Sequence, residues 1–183
     1  AWGPAGALGG VALVGATAPP EVHVLYASPL DKLLPQINIR SELELLSQAL
    51  EQAQCQVRMR VGIATTKALA QLFTRARAGR RVLLHLSAHV AFTGERGAGL
   101  ALENGHGGVH VLYRPQLEAL LGSSQQLEGL PLVFLNSCWS ESLAQLFVES
   151  GCRHVVATRG QVPDVAARAF THQFYFALGS RQS

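Results

Sequence analysis

The chain has 183 residues, 48% of them hydrophobic and 15% charged, and a net charge of +3. That length suits one domain with a sizeable core, and the hydrophobic share excludes a disordered chain. No apolar run reaches the roughly 18 to 20 residues a membrane helix needs, so no membrane association is expected.

Residues 1–20 are rich in Ala, Gly and Pro and carry no charge. They read as an extended lead-in, and without a basic n-region they do not read as a signal peptide. The folded domain is expected over 21–183. Val22 to Ala27 is a short apolar run stopped by Ser28-Pro29, which reads as a first strand. Ile39 to Ala53 carries Leu43, Leu46 and Leu50 at a helical period. Val57 to Val61 alternates and reads as a second strand. Thr65 or Thr66 can cap a helix that runs to Ala78 with Leu69, Leu72 and Phe73 on its buried side. Arg81 to Ala88 is a third strand that runs straight into His89. Gly97 to Glu103 and Val109 to Tyr113 flank Asn104-Gly105-His106-Gly107-Gly108 and read as a β-hairpin. A short helix over Arg114 to Leu121 has Pro115 in its first turn. Leu130 to Ser137 is a fourth strand running straight into Cys138. A helix over Glu141 to Ser150, a strand over His154 to Thr158 and a helix over Val165 to Leu178 complete the chain. Such alternation predicts an α/β fold: a mainly parallel central sheet, helices on both faces, and a hairpin insertion after the third strand. The fourth and fifth strands are apolar throughout, as expected of strands covered on both faces.

Two strand ends therefore carry chemistry. If the third and fourth strands are parallel neighbours, about 4.8 Å apart, His89 and Cys138 meet at their carboxyl ends, where open α/β sheets bind ligands. A thiol attacks as thiolate, and an adjacent imidazole can take its proton and later give it to a leaving amine. The helix start after Cys138 offers backbone N–H groups and a favourable dipole to a thiolate or oxyanion. His106 is the rival base, but a turn between strands holds a base less firmly than a strand end. His85 and His89 are about 13 Å apart along a strand, too far to share a metal ion, so no metal site is expected. His85 reads as a satisfied core or groove residue, and Cys55 and Cys152 as structural.

The three cysteines are odd in number and form no CxxC pair, so a reducing, cytoplasmic setting is expected. Between Glu51 and Glu95 there is no acidic residue, while Arg58, Arg60, Lys67, Arg75, Arg77, Arg80 and Arg81 accumulate. No aromatics interleave with them for base stacking, so a nucleic-acid partner is not expected. No GxGxxG follows a strand and no GxxxxGK[ST] occurs, so no nucleotide cofactor is expected.

The ordered motifs resemble the CHAT domain, a caspase-like cysteine peptidase domain often attached to tetratricopeptide repeats. Leu84-His85-Leu86-Ser87-Ala88-His89 is similar to the family's "hfaGHG". Val133 to Cys138 is similar to "vLsaC", and Ser150 to Thr158 to "aGa..Vvas". Val162-Pro163-Asp164 and Phe170 to Leu178 resemble the closing "v.D" step and "F...FY..L" helix. The resemblance implies His89 as general base, Cys138 as nucleophile, and peptide hydrolysis through a thioester without a cofactor. It implies the Val90 N–H as an oxyanion donor, although Val90 and Ala88 stand where the family has glycines. Substrate contacts fall by the same resemblance near Thr158, Arg159 and Asp164, with Arg40 from the first helix. Arg159 suits an acidic side chain and Asp164 a basic one. The expected partners are a protein or peptide substrate and regulatory domains or repeats. The alternative function is an inactive CHAT-like interaction module.

Overall fold

The computed structural model describes residues 19–122, 127 and 129–180. The expected lead-in lies outside them except for its last two residues. The described elements are β1 (Glu21–Tyr26), α1 (Ile39–Gln52), β2 (Arg58–Ile63), α2 (Thr66–Arg77), β3 (Val82–Ser87), β4 (His89–Thr93), β5 (Gly97–Glu103), β6 (Val109–Tyr113), α3 (Arg114–Leu121), β7 (Leu132–Asn136), α4 (Glu141–Glu149), β8 (His154–Val156) and α5 (Asp164–Ser180).

Five parallel strands form the central sheet in the order β2-β1-β3-β7-β8. β3 is buried over all six residues, as a parallel strand covered on both faces must be. On one face Val22, Val24, Leu83, Leu132 and Phe134 pack against Leu46 and Leu50 of α1 and Tyr175 and Leu178 of α5. On the other, Leu84, Leu86, Val133 and Leu135 pack against α2 and α4, where Phe73 and Phe147 meet edge to face with centroids 6.0 Å apart. Thr65 starts α2 by accepting a hydrogen bond from the Ala68 N–H at 3.1 Å, and Asn38 starts α1 by accepting from Ser41 N–H at 3.2 Å.

Two expectations change. The third strand does not run into His89: it ends at Ser87, and after Ala88 the chain starts β4, because His89 to Thr93 turn away to pair antiparallel with β5. The segment after β3 is consequently a three-stranded sheet, β4-β5-β6, rather than a two-stranded hairpin. The fifth strand, β8, is a sheet edge whose three residues are half-buried, with Val155 packed against the α2 and α4 layer and Val156 against the α1 and α5 layer.

Candidate active site

β3 and β7 are adjacent and parallel, with Ser87 opposite Asn136 at the last rung of their ladder. His89 and Cys138 each follow that rung by two residues. Both are half-buried at the carboxyl edge of the sheet.

His89 Nε2 lies 2.8 Å from the Pro35 carbonyl oxygen. A carbonyl only accepts, so Nε2 carries the hydrogen and donates, and Nδ1 of the neutral ring keeps its lone pair. Pro35 sits in the connection from β1 to α1. That connection is braced by Ser28 N–H donating to Glu103 Oε1 at 3.0 Å and by Leu30 N–H donating to the Gly107 carbonyl at 2.7 Å. The orienting group for His89 is thus a backbone carbonyl, which composition and motif spacing do not reveal.

Cys138 sits in the tight turn from β7 to α4. Trp139 follows it in the left-handed region at φ 58°, with half of its side chain exposed. Trp139 N–H donates to the Gly160 carbonyl at 3.3 Å, and Glu141 N–H to the Thr158 carbonyl at 3.1 Å. Two amides at this helix start are therefore engaged by carbonyls of the chain itself, which narrows the expected supply of oxyanion donors. Ser140 Oγ donates to the Ser137 carbonyl at 2.8 Å and accepts from Thr158 N–H at 3.2 Å. Thr158 Oγ1 donates to the same Ser137 carbonyl at 2.8 Å. Thr158 thus fastens the Cys138 turn.

The other expected residues sit on separate elements. Val90 is in β4, opposite Leu100. Arg159 is mostly exposed and pairs with Glu141 at 2.6 Å. Asp164 opens α5. Arg40 lies in the first turn of α1, exposed, with its Nε 3.4 Å from Glu44. Glu141, Gln145, Val148 and Val155 help to line an open groove between α4 and the β8 edge. His106 is exposed in the turn between β5 and β6. Cys152 is buried, which pushes its thiol up to about 11.

Directly beneath this edge is a buried polar cluster that motif spacing did not single out. Glu42 Oε1 accepts from His85 Nε2 at 2.7 Å, from Ser87 Oγ at 2.8 Å, and from Asn136 Nδ2. His85 Nδ1 is 2.9 Å from the Tyr175 hydroxyl, and the His85 ring stacks on Phe134. Burial raises the Glu42 carboxyl, but the His85 ring and the Ser87 and Asn136 donors outweigh it and hold the group below its ordinary value. Burial, and then the Glu42 charge, push the Tyr175 phenol well upward. Ser87, His85 and Glu42 are not a nucleophilic triad. Ser87 and Glu42 both meet Nε2, whereas a triad uses opposite ring nitrogens. Among the described residues no three His, Cys, Asp or Glu side chains are grouped to hold a metal ion. No described helix is long and apolar enough to cross a membrane.

No curated protein matches the chain. Among solved structures, a response regulator receiver domain from Rhodospirillum rubrum is similar at 14% identity and TM-score 0.44, covering 85% of this chain and 92% of that one. An NAD(P)H:quinone oxidoreductase from Methanothermobacter marburgensis is similar at 10% identity and TM-score 0.44, covering 89% of this chain and 98% of that one. The CHAT domain profile matches residues 28–183, a span that contains both His89 and Cys138. The chain belongs to the CHAT domain family, whose members are caspase-like.

Proposed function

We propose that this protein is a caspase-like cysteine endopeptidase that cleaves a protein or peptide substrate with a Cys138–His89 dyad and no cofactor. The observation that carries this reading is the side-by-side placement of β3 and β7, which delivers an oriented imidazole and a half-buried thiol to one sheet edge. His89 Nδ1 removes the Cys138 proton, and the thiolate attacks the scissile carbonyl. The oxyanion that forms is met by backbone N–H groups, that of Val90 among them. The amine leaves with the proton from the imidazolium. His89 then takes a proton from water, which attacks the thioester and releases the acid and the free thiol.

An extended substrate lies beside residues 159–162, beyond Thr158, whose own N–H and carbonyl are already paired. Arg159, Asp164 and Arg40 are the charges near its side chains. Glu141 already partners Arg159, so an acidic substrate group competes with that carboxylate. Regulatory repeats or domains in the same or a partner chain suit a site whose activity is conditional.

The test is labelling by a peptidyl acyloxymethyl ketone followed by peptide mapping. The expected adduct is on Cys138, is absent in Cys138→Ala, and forms at least about a hundredfold more slowly in His89→Ala. Labelling that His89→Ala leaves unchanged, or a failure to label the wild-type chain, overturns the reading.

A further inference from the structure

We propose that Glu42 is a positioning residue of this site: one carboxylate oxygen fastens together the ends of the two strands that present His89 and Cys138. The inference rests on reading those two residues as the reacting pair. Ser87 is two residues before His89, Asn136 is two before Cys138, and the two stand opposite each other. Both donate to Glu42 Oε1, as does His85.

The β3–β7 ladder ends at this rung. Beyond it no backbone pairing between the two strands sets the height of His89 relative to Cys138. A side-chain fastening at the last rung supplies what the ladder stops supplying. Its geometry is demanding, because three donors converge on one oxygen from different directions, and charge-assisted bonds in a water-poor setting are short and strong. His85 is fully buried and Glu42 nearly so. Through His85 the fastening reaches the Tyr175 hydroxyl, so α1, β3, β7 and α5 meet at one group. The first turn of α1 is held by the same contact, and that turn follows closely on Pro35, the partner of His89. The hydrogen-bond partners of Glu42 among the described residues are His85, Ser87 and Asn136, not His89 or Cys138. Its effect passes through the backbone at Ser87 and Asn136.

The experiment uses the full chain and four variants: Glu42→Gln, Glu42→Ala, Asn136→Ala and the double Glu42→Ala/Asn136→Ala. Two readouts are taken: the maximal labelling rate of Cys138 against the half-saturating concentration of the peptidyl ketone, and amide hydrogen exchange by segment. A small misplacement of reacting groups costs up to on the order of 100-fold. Glu42→Ala is accordingly expected to lower the maximal rate by about tenfold or more, with half-saturation within about twofold. Glu42→Gln keeps an acceptor oxygen and falls between. The double variant is no slower than Glu42→Ala, since Asn136 acts through the same oxygen. Exchange quickens at residues 87–89 and 136–138 while β1 and β2 are unchanged.

An unchanged maximal rate in folded variants overturns the proposal, as does a loss confined to half-saturation. A wild-type chain that does not label at all overturns the peptidase reading instead. The exchange readout then decides the fastening by itself, and unchanged exchange at both strand ends rejects it. If Glu42→Ala does not fold, Glu42→Gln and Asn136→Ala carry the same comparison.

Discussion

Glu42 shows how one side chain can be misread when only apolar positions are followed. The helical period marked Leu43, Leu46 and Leu50, yet the buried residues of α1 are Glu42, Leu46, Ala49 and Leu50. A carboxylate four residues before a buried leucine is a signal, because a buried acid needs partners. The partners come from β3 and β7, far along the chain, so the sequence reading of His85 as a satisfied core residue holds while its satisfier went unseen. The acid's state gives a pH dependence with a definite sign. Its folded-state carboxyl is held below the ordinary 4.5. It therefore adds stability above that value, and the contribution is lost as pH falls through the lower folded value. In urea unfolding, wild type is expected to exceed Glu42→Gln at about pH 6, with the gap narrowing as the pH is taken below 4.5. A gap that widens on acidification would mean that the fold prefers the protonated acid.

At the scale of elements, the turn between β7 and α4 depends on the strand behind it. Ser140 Oγ joins the Ser137 carbonyl to Thr158 N–H, and Thr158 Oγ1 returns to the same carbonyl. This tie holds Trp139 in its left-handed conformation, which costs a non-glycine residue roughly 1 kcal/mol or more. Ser140→Ala leaves the Thr158 N–H without its partner, at about 1–3 kcal/mol, while the Ser137 carbonyl keeps Thr158 Oγ1. The expected result is a lower urea midpoint together with altered alkylation of Cys138 by iodoacetamide. An unaltered midpoint and alkylation rate would show that the turn holds without Ser140. The extents of α2 and α3 were legible because caps and turn residues act locally: Thr65 stands at one start and Pro115 at the other. The end of β3 was not legible. Leu86, Ser87, Ala88 and His89 look continuous, and the break after Ser87 exists because β4 finds its partner in β5.

At the scale of the whole molecule, the central sheet separates two apolar layers that share the same strands. Leu83, Leu132 and Phe134 face α1 and α5, while Leu84, Leu86, Val133 and Leu135 face α2 and α4. Neither layer can dissolve without exposing β3 and β7, so the described domain should unfold as one unit. Trp139 reports on the carboxyl edge, and Trp2→Phe makes it the sole tryptophan. Its fluorescence and the far-UV circular dichroism are expected to share one urea midpoint. A fluorescence change that comes first would show that the edge opens separately from the sheet.

What the residues determine by themselves is the alternation of strands and helices, and the family. Those follow from local periodicity, turn chemistry and ordered motifs, all written within short stretches of chain. Tertiary structure alone decided that β3 lies beside β7, that β8 is an edge, that the Pro35 carbonyl orients His89, and that Glu42 meets Ser87 and Asn136. Each of these joins residues distant in sequence. Neither a backbone carbonyl's partner nor a buried acid's partner has any local signature, because it is chosen by which elements pack together.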